Sequence, residues 1–85
     1  MPRPISDVVG RRLDDRFVVV NLQTKRIYEL NRTASALWEL LEAETEPSEL
    51  VPAMLERFDV DSDDLEREVD ETLRVLTDAG LVTAA

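Results

Sequence analysis

The spacing of apolar residues divides the chain into two parts with different periodicity. Up to residue 30 the apolar residues are mostly β-branched and stand in short runs, which is typical of strands, whereas from Asn31 onward they recur with helical spacing. The first part predicts strands over residues 8–13, 17–22 and 26–30, separated by polar turns. Such short connections favour an antiparallel meander, and the alternation along the last strand predicts that Leu30 faces the core.

The second part predicts three helices. Asn31 is a good N-cap for the first helix, because its side-chain oxygen can accept hydrogen bonds from the free N–H groups of the first turn. The turn at residues 45–48 offers two possible caps for the second helix, and with Ser48 as the cap Pro52 lies one turn in, where its missing N–H removes at most the earliest helical bond. Ser62 is the expected cap of the third helix, and Gly80 closes it. The predicted core-facing stripes are Ala34, Leu37, Trp38 and Leu41, then Leu50, Val51, Met54, Leu55 and Phe58, then Leu65, Val69, Thr72, Leu73, Leu76 and Ala79.

Neither the predicted sheet nor the predicted helices can bury an apolar face alone. Packed together they form one α+β domain over residues 1–85, a winged-helix-like arrangement in which a three-stranded antiparallel sheet precedes three helices (βββααα). Leu81 and Val82 are expected to pack back on the core, and residues 83–85 are expected to form a frayed tail.

The composition narrows the possible chemistry. The chain contains no Cys and no His, which removes the thiol nucleophile, the commonest general base and the commonest transition-metal ligand. We therefore expect no catalytic residue, no metal and no cofactor. The N-terminal residues lack the apolar core of a signal peptide, and no apolar run is long enough to span a bilayer, so a cytoplasmic protein without a membrane partner is expected.

The charge of the chain opposes nucleic acid as a partner. Ten basic and nineteen acidic residues give a net charge of −9, which repels phosphate backbones. A winged-helix DNA-binding regulator remains an alternative on element content, but the chain has no basic recognition helix.

Three aspartates raise the question of a calcium loop. The spacing of Asp59, Asp61 and Asp63 is similar to the start of such a loop, but Asp64 stands where the tight turn needs Gly, and Asp70 stands where a bidentate Glu is required. We therefore expect a solvated acidic turn that caps the third helix.

Two features indicate a binding surface. The third strand ends the meander, so its outer edge is either a template for an added strand or an edge that Arg26 and Glu29 protect. Tyr28 on this strand fits the core and a docking surface equally well, whereas Trp38 lies in a core-facing stripe. If the third helix lies beside this edge, its broad apolar arc can serve as the wall of a groove for an extended peptide.

A resemblance to a known family gives these features a more specific meaning. The run LNRTASALWELL at residues 30–41 resembles the strand-to-helix junction of PqqD-like proteins, the peptide-recognition elements of ribosomal peptide biosynthesis. The similarity continues through LERFDV at residues 55–60 and through residues 69–82, which end in LTDAGLV. The segments LWELL and VVVNL look most like the stand-alone leader-binding proteins of lasso-peptide pathways, although Asn21 stands where many relatives carry Asp.

The resemblance implies a non-catalytic adaptor. A precursor's leader peptide, which in lasso pathways carries a Tyr and a Pro, would join the sheet as an extra strand and lie against the third helix. A transglutaminase-like leader peptidase is implied as a partner, with the cyclase as a further one, and the adaptor itself as a monomer or weak dimer. The alternative within the family is a peptide chaperone for a radical-SAM pathway that makes PQQ or thioether peptides. The implied peptide-binding residues are Arg26, Ile27, Tyr28, Glu29 and Leu30 on the strand, and Val69, Asp70, Leu73, Arg74, Leu76 and Thr77 on the helix.

Overall fold

The structure, a computed structural model, describes residues 2–83. The elements in chain order are β1 (Arg3–Pro4), β2 (Val8–Leu13), β3 (Arg16–Asn21), β4 (Arg26–Glu29), α1 (Arg32–Glu42), α2 (Pro47–Leu55), α3 (Ser62–Asp78) and β5 (Val82–Thr83). Strands β2, β3 and β4 form an antiparallel sheet in that order, and β1 pairs with β5 in a separate two-stranded sheet. The predicted meander followed by three helices is confirmed.

Asn21 connects the β3–β4 hairpin to Gly80, which follows α3. Its side-chain oxygen accepts hydrogen bonds from the backbone N–H groups of Gln23 and Thr24, at 2.9 and 3.2 Å. Its amide nitrogen donates to the carbonyl of Gly80 at 3.1 Å. The amide accepts in the turn and donates to a carbonyl at once, whereas an ionised Asp has no donor, so Asn21 makes a contact here that an ionised Asp cannot make.

The core lies between the sheet and the helices, and Trp38 is at its centre. Trp38, Leu37 and Leu41 of α1 are fully buried, which confirms the predicted stripe. Gly10 of β2 permits the close approach of α1, because a Cβ atom on this residue would lie 2.5 Å from Trp38 Nε1. Leu30 is buried on the same side, as its position in the strand predicts.

The predicted caps of α2 and α3 are wrong by one or two residues. Helix α2 begins at Pro47 after Glu46, whose side chain makes no capping hydrogen bond, so Ser48 lies inside the helix. Proline suits this first position because its φ is already helical and its missing N–H has no partner to lose. At α3 the cap is Asp61 rather than Ser62, since the Asp61 carboxylate accepts from the N–H groups of Asp63 and Asp64. An anion at this end is also favoured by the helix dipole.

The C-terminus of α3 closes as predicted. Gly80 has a φ of +76°, its N–H donates to the carbonyl of Thr77, and the N–H of Leu81 donates to the carbonyl of Leu76. This is a Schellman motif, in which glycine adopts the left-handed conformation without steric cost. The motif turns the chain so that Leu81 and Val82 become buried, which confirms the expected return to the core.

The short sheet of β1 and β5 was not predicted. Thr83 pairs with Arg3 and Val82 pairs with Pro4, so the expected fraying is wrong at residue 83, while residues 84 and 85 lie outside the described part of the chain. Two-residue strands carry no periodic signal. They form here because the burial of Val82 brings the end of the chain beside the N-terminal segment.

Candidate functional site

Strand β4 stands at one edge of the three-stranded sheet and is paired only with β3 in the described residues. The N–H of Leu30 donates to the carbonyl of Phe17 at 2.9 Å. Because hydrogen-bonded and non-hydrogen-bonded pairs alternate in an antiparallel ladder, Tyr28 also bonds toward β3, whereas Ile27 and Glu29 direct their N–H and C=O groups away from it. The edge therefore offers four backbone groups to an added strand.

A groove runs between this edge and α3, with a volume of about 640 Å³. Leu30 and Ala34 contribute apolar surface from the strand end and from α1, and Leu76 and Val75 contribute it from α3. Val75 is 60% exposed, so the groove has accessible apolar surface of its own. The remaining lining residues are polar or charged: Glu29, Asn31, Asp64, Arg67, Glu68, Glu71 and Thr72.

The α3 side of the groove is acidic. Asp64, Glu68, Glu71 and Val75 follow one another at three- or four-residue intervals and so lie along one face of the helix. Arg67 forms an ion pair with Asp64 at 3.3 Å, which leaves Glu68 and Glu71 without an ion pair in residues 2–83. A ligand in this groove meets a strand edge on one side and two free carboxylates on the other.

The five predicted strand residues contribute to this site in different ways. Glu29 and Leu30 line the groove, and Ile27 is 70% exposed at the open edge. Tyr28 is half-buried and packs against the core, the first of the two roles left open for it. Arg26 is exposed at the start of β4, where it pairs with Asn21 across the hairpin.

The structure brings only one of the six predicted helix residues to the groove. Leu76 lines it, whereas Val69, Asp70 and Leu73 line a separate hollow of about 390 Å³ between α2 and α3. Thr77 donates from its hydroxyl to the carbonyl of Leu73. Arg74 is exposed and lines neither the groove nor that hollow.

The reason for this difference is that α3 has three neighbours around its circumference. Val69 and Leu73 face α2, Leu65 and Leu76 are buried in the core, and the charged face turns toward β4. Sequence reasoning followed the apolar residues of the helix, and it did not assign Glu68 and Glu71 to a site. Val75, apolar yet outside the main stripe, was the one signal in the sequence for this side of the helix.

A second charged cluster joins the sheet to the helices on the other side of the molecule. The Glu39 carboxylate accepts hydrogen bonds from the guanidinium groups of Arg12 and Arg57, the latter at 3.2 Å. Partial burial raises the pKa of Glu39, but the two arginines outweigh this effect and hold the pKa below its usual value. The cluster ties β2 and the end of α2 to α1 and does not contact the groove.

Residues 2–83 contain no group of three or more acidic residues arranged to hold a metal ion. Asp61 instead caps α3, in agreement with the expected role of the acidic turn. None of the described helices has the length and apolar character that crossing a membrane requires.

Comparisons with known proteins show which family the chain belongs to. The family model of coenzyme PQQ synthesis protein D, PqqD, matches residues 16–82, from the start of β3 to β5. The chain belongs to the PqqD family. No curated protein matches this PqqD-family chain.

Two solved structures resemble the PqqD-family chain over nearly its whole length. One is TbiB1 in complex with the TbiA(beta) leader peptide, which is 31% identical with a TM-score of 0.91 and matches 98% of this chain and 96% of its own. The other is a lasso peptide synthetase B1 complexed with its leader peptide, which is 18% identical with a TM-score of 0.85 and matches 96% of each chain. At that identity the second structure supports the fold alone.

Proposed function

We propose that this chain is a non-catalytic adaptor that binds the leader of a ribosomally made precursor peptide by strand addition. In this proposal it serves a lasso-peptide pathway and presents the precursor to a transglutaminase-like leader peptidase and to the cyclase. The observation that carries the proposal is the open β4 edge above a groove with an apolar part and an acidic side, in a chain that is 31% identical to a leader-bound protein over almost its full length.

The strand edge supplies affinity that does not depend on sequence. Ile27 and Glu29 offer an N–H and a C=O each, and every hydrogen bond formed contributes about 1 kcal/mol net before the cost of ordering the peptide. Such bonds are made to the peptide backbone, so they do not distinguish one leader from another.

The groove supplies the specificity. A leader side chain buried against Leu30, Ala34 and Val75 contributes roughly 1.5–3 kcal/mol, and only one register of the added strand places it there. Glu68 and Glu71 favour a basic residue beside that side chain and disfavour an acidic one.

The absence of His and Cys from the whole sequence supports a role in binding rather than in chemistry. An adaptor acts by proximity: once the leader is held, the rest of the precursor is present at high effective concentration for any enzyme that binds the same adaptor. The reactions themselves belong to those enzymes.

The two sides of α3 can be tested against each other. Val75→Glu places a charge in the groove, whereas Leu73→Asp places one in the hollow between α2 and α3, the side that the family resemblance implied. We expect Val75→Glu to weaken the binding of a fluorescent leader peptide at least tenfold, measured by anisotropy, because the charge meets apolar leader side chains and two carboxylates.

Val60→Glu is the matched control, because Val60 is 50% exposed and does not line the groove. Circular dichroism would establish that each variant is folded. If folded Val75→Glu protein binds the leader as tightly as the native chain while Leu73→Asp abolishes binding, the groove beside β4 is the wrong site. A panel of leaders from lasso, PQQ and thioether precursors would identify the pathway, since the correct leader should bind most tightly.

A further inference from the structure

A third hollow, with a volume of about 320 Å³, lies between the β2–β3 turn, α1 and the end of α2. We call it the arginine cleft, because Arg12, Arg32 and Arg57 line it. Two carboxylates, those of Asp15 and Glu39, line the same cleft. Since three guanidinium groups face two carboxylates, the cleft has an excess of positive charge.

This positive charge contrasts with the rest of the chain. Residues 33–85 contain three basic and fifteen acidic residues, whereas residues 1–32 contain seven basic and four acidic ones. The cleft gathers Arg12 and Arg32 from the first part and Arg57 from the second. An acidic side chain of a ligand, which the net charge of −9 disfavours in general, is therefore favoured at this cleft.

Two of the arginines are held in place and keep donors for a ligand. Arg12 and Arg57 both donate to the same carboxylate oxygen of Glu39, Oε2, so one carboxylate serves two guanidinium groups. Each guanidinium has five N–H groups, and a single shared oxygen cannot satisfy both sets. The Arg12 guanidinium also lies over the ring of Phe17, 5.1 Å from its centroid. Both groups are thus positioned before a ligand arrives.

The third arginine can exchange its partner at little cost. The Arg32 guanidinium lies 3.5 Å from the Asp15 carboxylate, and the two side chains are 68 and 64% exposed. Ion pairs with this exposure contribute little to stability, because water and salt screen them. A carboxylate of a ligand can therefore join or replace Asp15 beside Arg32.

The arginine cleft and the groove beside β4 lie on two sides of the same helical turn. Leu30, Asn31 and Ala34 line the groove, whereas Arg32 and Ser35 line the cleft. A helix with its side chains is about 10–12 Å across, and an extended chain advances about 3.3 Å per residue. A peptide that leaves the β4 edge at Leu30 therefore reaches the cleft within roughly three to five residues.

We propose that the arginine cleft is a second recognition site for the precursor peptide, and that it binds an acidic side chain of the leader segment that leaves the β4 edge at Leu30. This inference rests on the proposed function. The carboxylate accepts hydrogen bonds from Arg32 and from the free donors of Arg12 and Arg57.

The groove and the cleft then have opposite charge preferences. The two free carboxylates of α3 favour a basic leader residue, and the arginine cleft favours an acidic one a few residues away. Backbone pairing at the edge does not distinguish between the two directions in which a peptide can run along β4. Only one direction satisfies both charge preferences, so the cleft also orients the leader.

The test uses the fluorescent leader of the precursor encoded beside this chain, and a set of leaders in which each Asp or Glu is replaced in turn by Asn or Gln. Anisotropy measures their binding to the native chain, to Arg32→Glu and to Arg11→Glu. Arg11 is the matched control, because it precedes Arg12 in β2, lines neither hollow and undergoes the same change of charge.

We expect Arg32→Glu to weaken leader binding about tenfold and Arg11→Glu less than about twofold. One neutralised leader, changed within roughly five residues of the paired segment, should bind the native chain about fivefold more weakly than the unchanged leader. The same neutralised leader should bind Arg32→Glu at least as tightly as the unchanged leader does, because the two changes remove one interaction. Circular dichroism would establish that both variants are folded.

The outcomes separate this inference from the proposed function. Failure of the native chain to bind the unchanged leader would refute the proposed function. If the native chain binds the leader and folded Arg32→Glu protein binds it equally tightly, the cleft is not a recognition site. Equal losses in Arg32→Glu and Arg11→Glu would assign the effect to net charge and overturn the inference. A leader without an acidic residue in the expected range would also overturn it.

Discussion

Replacement of Ile27 by proline tests strand addition directly. The N–H of Ile27 points to the open edge of β4, so its removal takes one donor from the added strand and leaves the β3–β4 ladder intact. Proline is tolerated on an edge strand when its nitrogen faces outward. Ile27→Pro should therefore fold and still fail to pair normally with the leader.

The expected magnitude follows from a single contact. Loss of one backbone hydrogen bond costs about 1 kcal/mol, and a leader carbonyl left without a donor in the closed interface adds a desolvation cost of about 1–3 kcal/mol. A total of about 2 kcal/mol or more corresponds to a Kd that is weaker by roughly 30-fold or more. Ile27→Ala is the matched control, because it removes the exposed side chain and keeps the N–H, and its leader affinity should stay within about threefold of native.

Anisotropy titration of a fluorescent leader measures both variants, and hydrogen exchange of the β4 amides in the complex shows whether the Glu29 N–H becomes protected. A native-like Kd for folded Ile27→Pro would refute pairing at this edge. Equal losses in the proline and alanine variants would show instead that the leader reads the Ile27 side chain.

Two further predictions concern stability. Gly10→Ala should destabilise the fold by about 1–3 kcal/mol in urea unfolding, because the new Cβ would lie 2.5 Å from buried Trp38 Nε1 and the indole must shift. In a Trp38→Phe background most of this destabilisation should disappear. An unchanged destabilisation in that background would show that the strain arises elsewhere. Because Arg12 and Arg57 lower the pKa of Glu39 in the folded chain, their pairing with Glu39 stabilises the fold fully at pH values above 4.5, the pKa of Glu39 in the unfolded chain. This contribution is lost as the pH falls through the folded pKa. The urea midpoints of native and Glu39→Gln protein should therefore differ most above pH 4.5 and converge at lower pH. A difference between the two midpoints that grows on acidification would contradict the pairing with Arg12 and Arg57.

The helices and strands were largely predictable because their signals are local. Alternation in the first part of the chain and the 3.6-residue spacing in the second part depend on near neighbours, so the meander and the three helices follow from the sequence. The errors occur where several residues compete for one role: Asp61 caps α3 in place of Ser62, and Pro47 opens α2 ahead of Ser48. Such choices depend on small differences in the energy of neighbouring caps.

The site was only partly predictable. The position of β4 at the end of the meander was enough to identify an open edge, and the resemblance to PqqD-like proteins assigned a peptide to it. The side of α3 that lines the groove was not predictable, because Leu73 and Val75 are both apolar and both compatible with a helical wall.

By itself, then, the sequence determined the order and type of the elements, the burial of Trp38, the open edge of β4 and the absence of Cys and His. Only the tertiary structure decided that Glu68, Glu71 and Val75, rather than Val69 and Leu73, face that edge. The physical reason is that periodicity specifies which residues share a face of a helix, while the rotation of that helix depends on all the surfaces that pack around it at once. For α3 those surfaces are α2, the core and the end of β4.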